Sequence, residues 1–215
     1  MSDGIRWIGE HNLAARTPGL PGMREAVSLT VARDISAREF LISLGAHAED
    51  LNKGTLFKDQ KKKSTATFHS LAMYGTCGGW VYVLENSPDA TWYTKSLAHQ
   101  ESQVLTGAEI VCVTQREDDP PPYVSHVTPE GHASHAEWGA PTGHPDFDEA
   151  LRSAGAIYPS LPDSSEEVVE TYWEEHMDDL LPRIFTAVGN YCKLEISQTE
   201  VEAGSLPLVV FPPAS

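Results

Sequence analysis

Apolar residues at alternate positions mark the extended parts of this chain, and apolar residues three or four apart mark the helical ones. In Gly79-Trp80-Val81-Tyr82-Val83-Leu84-Glu85, Trp80, Tyr82 and Leu84 point to one face and Val81 and Val83 to the other. Both faces are apolar, which predicts a central strand covered on both sides. Glu85, the one charge in the run, is expected at the surface, where the strand meets the Asn86-Ser87-Pro88 turn. Ala26–Ala32 predicts another strand, with Val27, Leu29 and Val31 on one face. Ser36, with Glu39 three residues on, has the spacing of a capping box, and Phe40, Leu41 and Leu44 supply a helical stripe that Gly45 ends.

The remaining elements follow by the same reasoning. Ile5–Ile8 is a short apolar start, a strand or a docking segment, followed by a Pro/Gly-rich loop at 17–22. Thr65–Tyr74 reads as extended, and Gly75-Thr76-Cys77-Gly78-Gly79 as a bulge or turn leading into the central strand. A helix is expected over Thr94–Leu105, a strand over Glu109–Thr114, and a hairpin pairing Tyr123–Thr128 with His132–Trp138 around Pro129-Glu130-Gly131. Asp146, with Glu149, is expected to cap a short helix ending at Gly155. Ser164–Tyr191 carries Val169, Tyr172, Trp173, Met177, Leu180, Ile184 and Val188 at helical spacing, and Pro182 should kink this helix or split it. Leu206–Phe211 reads as an edge strand, because Pro207 forbids a central place.

These elements define an α+β protein: a mixed, largely antiparallel sheet with helices packed on it and a long acidic helix in the C-terminal third. The 215 residues are read as one domain, with a core over about 26–155 and an acidic helical region and tail over 163–215. The start Met1-Ser2-Asp3-Gly4 lacks the basic and apolar regions of a signal peptide, and no apolar run approaches the roughly 20 residues that cross a bilayer. The expectation is a cytoplasmic protein without membrane contact. Three widely spaced cysteines, Cys77, Cys112 and Cys192, form no C-x-x-C pair, and Cys112 reads as a small buried hydrophobe.

Charge adds an asymmetry that the hydrophobic pattern does not show. Net charge is −16, yet residues 1–100 hold 11 Lys and Arg against 10 Asp and Glu, while residues 101–215 hold 4 against 21. An acidic half repels the phosphates of nucleic acid and of anionic membranes; it suits a protein partner with a basic surface, and the simpler reading is that it keeps the protein in solution. The outer face of the long helix concentrates Glu166, Glu167, Glu170, Glu174, Glu175, Asp178 and Asp179. The one basic cluster, Lys58–Lys63 with its Lys61-Lys62-Lys63 run, reads as a solvated connection.

Specific chemistry is sparse. There is no phosphate-binding loop and no G-x-S-x-G nucleophile motif. Cys77 sits beside glycines, but no base for it can be placed. Among nine histidines, His126, His132, His135 and His144 lie close in sequence. A three-residue hairpin loop would put His126 and His132 on one face, and a two-residue loop would pair His126 with the face of His135. Either way two imidazoles converge, and His144 from its loop would be a third. Surface or hydrogen-bonded histidines are the simpler expectation, so no metal and no cofactor are expected. Asp146-Phe147-Asp148 is explained by helix capping, and the helix lacks the E-x-x-H of a di-metal bundle because Trp173 stands three before His176.

Four stretches resemble an uncharacterised bacterial family of high-GC genomes, a domain of unknown function. They are Ser28–Arg33 with Leu41–Ala46, Gly79–Glu85, the hairpin leading to Ala136-Glu137-Trp138, and Pro145–Leu151. The resemblance implies an α+β domain and no activity. The expected function is a non-catalytic binding or regulatory module offering Glu167, Glu170, Glu174, Glu175, Asp178 and Asp179 to a protein partner. The competing expectations are a small hydrolase or transferase with a site at the strand ends around Glu85 and His126, an acidic mimic of nucleic acid, and a protein that self-associates through an unpaired Leu208–Phe211 tail.

Overall fold

The computed structural model describes residues 4–10, 27–60, 70–98, 107–115, 123–159 and 165–212. Alternating apolar residues build seven strands: β1 (Val27–Arg33), β2 (Ser70–Cys77), β3 (Trp80–Asn86), β4 (Glu109–Val113), β5 (Tyr123–Val127), β6 (Ala133–Glu137) and β7 (Leu208–Phe211). They form one sheet in the order β6-β5-β4-β1-β3-β2-β7, antiparallel at every strand pairing. The helices are α1 (Arg6–Glu10), α2 (Ala37–Ser43), α3 (Ala48–Leu51), α4 (Thr91–Ala98), α5 (Pro145–Ser153), α6 (Glu166–Cys192) and α7 (Gln198–Glu202). The class is α+β.

Strand β3 is interior, between β1 and β2, and both its faces are covered. Trp80, Tyr82 and Leu84 join Leu29, Val31, Val111 and Val113 in a core closed by α1, α5, α6 and α7 through Ile8, Phe147, Phe185 and Val201. Val81 and Val83 join Ala32, Ile110 and Cys112 in a second core, closed by Phe40 and Leu41 of α2 and Trp92 and Tyr93 of α4. Alternation along each strand therefore sorts the side chains into two apolar layers. The hairpin β2–β3 turns through Gly78 and Gly79, both at positive φ (59° and 85°), in a two-residue loop between paired Cys77 and Trp80. Positive φ at both positions suits the right-handed twist of the strands.

The capping box at Ser36 and Glu39 is formed, and Gly45 follows α2 at φ 94°. Several boundaries differ from expectation. Ile5–Ile8, expected as a strand or a docking segment, is a docking segment: its residues from Arg6 on begin a short helix, α1, that packs on α6. Helix α4 starts at Thr91 because the Glu85 carboxylate accepts from the Thr91 amide at 2.7 Å; residues 99–106, where its expected end falls, lie outside the described residues. In α5, His144 is the N-cap and Pro145 the first helical residue, so Asp146 caps nothing. Proline suits that position, where its missing N–H has no intrahelical role. Asp148 instead ties down the preceding loop, accepting from Thr142 N, Thr142 Oγ1 and Gly143 N at 2.7–2.9 Å.

Helix α6 is not split. It runs unbroken through Pro182, and Leu180, Leu181, Ile184, Phe185 and Val188 lie in the core. Helix α1 crosses at the proline: a Cβ on Gly9 would stand 2.6 Å from Pro182 N and 2.7 Å from Leu181 O. Only glycine permits that approach. The Leu208–Phe211 tail pairs with β2 as an edge strand, with Val209 and Phe211 buried, so it is not the unpaired surface expected of a self-associating tail. Thr55 and Phe57 bond its approach through Leu208 N→Thr55 O and Phe57 N→Leu206 O. The Lys61–Lys63 run and the loops at 17–22 and 117–122 lie outside the described residues.

Candidate functional site

Cross-strand register creates the most polar point of the core. Arg33, the last residue of β1, faces Trp80 of β3 on one side and Glu109, the first of β4, on the other. His126 of β5 pairs with Val111, two positions from Glu109 and therefore on the same face. Tyr191, in the last turn of α6, reaches over them. Glu109 Oε1 accepts from Tyr191 Oη at 2.5 Å and bonds His126 Nε2 at 2.8 Å, while Arg33 Nη2 closes an ion pair on Oε2. The Arg33 guanidinium lies 5.1 Å from the centre of the Trp80 ring.

The electrostatics follow from that geometry. Burial works to raise the pKa of Glu109, but the bonds from Tyr191 and His126 and the charge of Arg33 outweigh it and hold the carboxyl below its ordinary value. Burial keeps the His126 imidazole below its ordinary value against the opposing pull of Glu109, helped by His144 and Arg33. The Tyr191 phenol is pushed up, first by burial and then by its bond to the carboxylate. One cation and one anion thus balance, and His126 is neutral, donating from Nε2. Its Nδ1 is buried with no hydrogen-bond partner among the described residues. Around the ring stand Phe147, stacked at 5.3 Å, His144, edge-on at 4.1 Å, and Tyr191, edge-on at 5.9 Å between centroids.

A carboxylate-held imidazole is how a general base is built. Here the ring is 1 % exposed beneath Phe147 and His144, so as it stands it is closed to a substrate. Of the two simpler expectations for these histidines, surface or hydrogen-bonded, His126 meets the second: it is buried and bonded to Glu109. His135 points to the opposite face, bonded to Ser125 Oγ at 2.8 Å, and His132 is exposed on the hairpin loop. Of the four, only His126 and His144 meet, and among the described residues no three His, Cys, Asp or Glu side chains are placed to hold a metal ion.

Glu85, the other predicted strand-end residue, is also buried, on the sheet's opposite face. Its carboxyl accepts from Ser70 Oγ at 2.7 Å, Thr91 N at 2.7 Å and Thr91 Oγ1 at 2.6 Å. Burial raises its pKa, against the lowering effect of those bonds. It anchors the start of α4 to β2 and β3 and does not meet the His126 cluster.

The acidic face of α6 divides at Leu180. Positions 167, 174, 181 and 185 fall on one side of an α-helix. In the first half that side carries Glu167 and Glu174, both exposed; in the second it carries buried Leu181 and Phe185. Glu175 is exposed, and Asp179 is exposed and bonded to Arg183 at 3.1 Å. Glu170 and Asp178 belong to the helix, but their side chains lie outside the described ones. Between 167 and 179 no described side chain is buried, and Val168 is 50 % exposed. Tyr158 packs edge-on against Tyr172 at 5.2 Å, and Tyr172 stacks on His176 at 4.1 Å.

Sequence reasoning missed Arg33, Glu109 and Tyr191. A signal was present for two of them: Arg33 continues the parity of Leu29 and Val31, and Glu109 that of Val111 and Val113, so each is a charge on an apolar face at a strand end. Their meeting depends on strand order, which no local pattern carries. Comparison of the chain with protein-family models, with curated proteins and with solved structures finds no match. Among the described residues no helix is long and apolar enough to cross a membrane.

Proposed function

We infer that this protein is a non-catalytic binding module that presents the first half of α6 to a protein with a basic surface. The observation behind this reading is the change along one helix side, from exposed Glu167 and Glu174 to buried Leu181 and Phe185. A helix supported by the core over its second half holds its first half in a fixed direction. Its carboxylates are therefore displayed at low entropic cost to a partner. The half-chain excess of 21 acidic over 4 basic residues extends the same field and favours fast encounter with a cationic surface.

The test is retention of proteins from the native host on the immobilised full chain, at low and at 0.5 M salt, beside a Glu167→Gln/Glu174→Gln/Glu175→Gln variant. A basic protein held by the wild type and lost both in the variant and at high salt supports the reading. Identical retention by wild type and variant removes it, because exposed charges act only within a Debye length of about 8 Å at physiological salt.

A further inference from the structure

The clasp between the sheet and the loop that starts α5 contains a base with nowhere to put a second proton. His126 Nε2 is committed to Glu109, and Nδ1 is buried without a hydrogen-bond partner among the described residues. The groups facing the ring come from every side: Glu109 from β4, Arg33 from β1, Tyr191 from α6, and His144 and Phe147 from the start of α5. Beyond His144, Glu130 of the hairpin loop feels the charges of both His132 and His144. Glu109, which among the described residues is the carboxylate bonded to the ring, is already neutralised by Arg33. An imidazolium here would carry a buried N–H without an acceptor, beside Arg33 and beside a second histidine.

We propose that His126 and His144 form an acid-operated latch, which holds the 139–147 segment and the start of α5 against the sheet while His126 is neutral and releases them when His126 takes up a proton at Nδ1. Opening exposes both nitrogens to water, so the proton is bound in the open form and excluded from the closed one. His144 is suited to be the moving part. It is the N-cap residue of α5, its side chain makes no capping hydrogen bond, and it is half-buried while His126 beneath it is fully buried. The depressed His126 pKa agrees with this direction. A group with a depressed folded pKa contributes stability above its unfolded value, near 6.5, and loses it as pH falls through the folded value.

Hydrogen-exchange protection of residues 139–150 in the full chain, corrected for intrinsic rates, reads the latch between pH 7.5 and 5. Protection there should fall by about tenfold for each pH unit between the unfolded and folded pKa values, relative to β1 and β3. His126→Gln retains a donor for Glu109 but cannot titrate, and it should flatten that dependence. The loop is also held by Asp148, which this variant leaves in place. Persistent acid release in His126→Gln would therefore assign the effect elsewhere and overturn the proposal, as would wild-type protection that does not change with pH. A ring-carbon NMR titration of His126 in the wild type applies whether or not the variant folds. Protonation below pH 6.5, coincident with loss of α5 protection, supports the latch; protonation with α5 still protected overturns it.

Discussion

A carboxylate as deeply buried as Glu109 must be balanced, and the structure balances it with one full charge and two neutral donors. Removing one partner of a buried ion pair leaves the other uncompensated, at a cost of about 3–5 kcal/mol. Arg33 is 47 % exposed and can turn to water, so Glu109→Ala should lie at the lower end, about 3 kcal/mol by urea unfolding. Glu85 behaves oppositely. Among the described residues no cation balances it in its bonding shell, and burial raises its pKa, so folding disfavours its ionised form relative to the unfolded chain. A raised folded pKa gives stability that is complete below the unfolded value, near 4.3, and is lost as pH rises through the folded value. Glu85→Gln, which retains an acceptor for the Thr91 amide, should therefore be more stable than wild type at pH 8 and no more stable at pH 4. Parallel thermal melts at the two pH values would show this, and a constant difference would contradict it.

At the scale of elements, local rules were legible and distant ones were not. The apolar run of β3, the Ser36 capping box and the edge position of β7 all follow from residues within a few positions of one another. Glu85 was misplaced because a charge at the end of a strand looks solvated until the strand's neighbours are known; Ser70 and Thr91 come from two other elements. The centre at Glu109 was illegible for the same reason, since Arg33, His126 and Tyr191 belong to three different elements and meet through the sheet order and the run of α6. Two substitutions probe the elements separately. Ser36→Ala should cost about 1 kcal/mol by removing the cap of α2. Gly9→Ala drives a Cβ into the backbone at Leu181–Pro182, where no side chain can yield. It should cost about 1–3 kcal/mol, or detach α1 and expose Trp7 to quenching in tryptophan fluorescence.

For the whole molecule, the charge distribution matters more than any single pair. A net charge of −16 with 21 of 31 acidic residues after position 100 makes the folded state repel itself. Screening relieves that repulsion, so the melting temperature should rise as sodium chloride increases from about 10 mM to about 0.5 M, across the range in which the Debye length shortens from roughly 30 Å to a few ångströms. A fall over that range would mean that paired charges, not unpaired ones, dominate. The charge imbalance itself needs no structure to be seen. The point along α6 where exposed carboxylates give way to core residues does, because the helix repeat is the same on both sides of Leu180.

The docking of α1 sets an order on how this molecule is made. Ile5 packs against Gly189, and the Trp7 indole donates to Ile196 O at 3.0 Å, so the first helix finds its seat only on nearly the last part of the chain. At about 5–20 residues per second, a ribosome needs roughly 10–40 s to synthesise the intervening stretch. For that interval Ile5, Trp7 and Ile8 have no apolar surface of α6 to cover them. A nascent chain halted before Leu180 would expose these side chains, and with them a binding surface for a chaperone that the finished protein no longer offers.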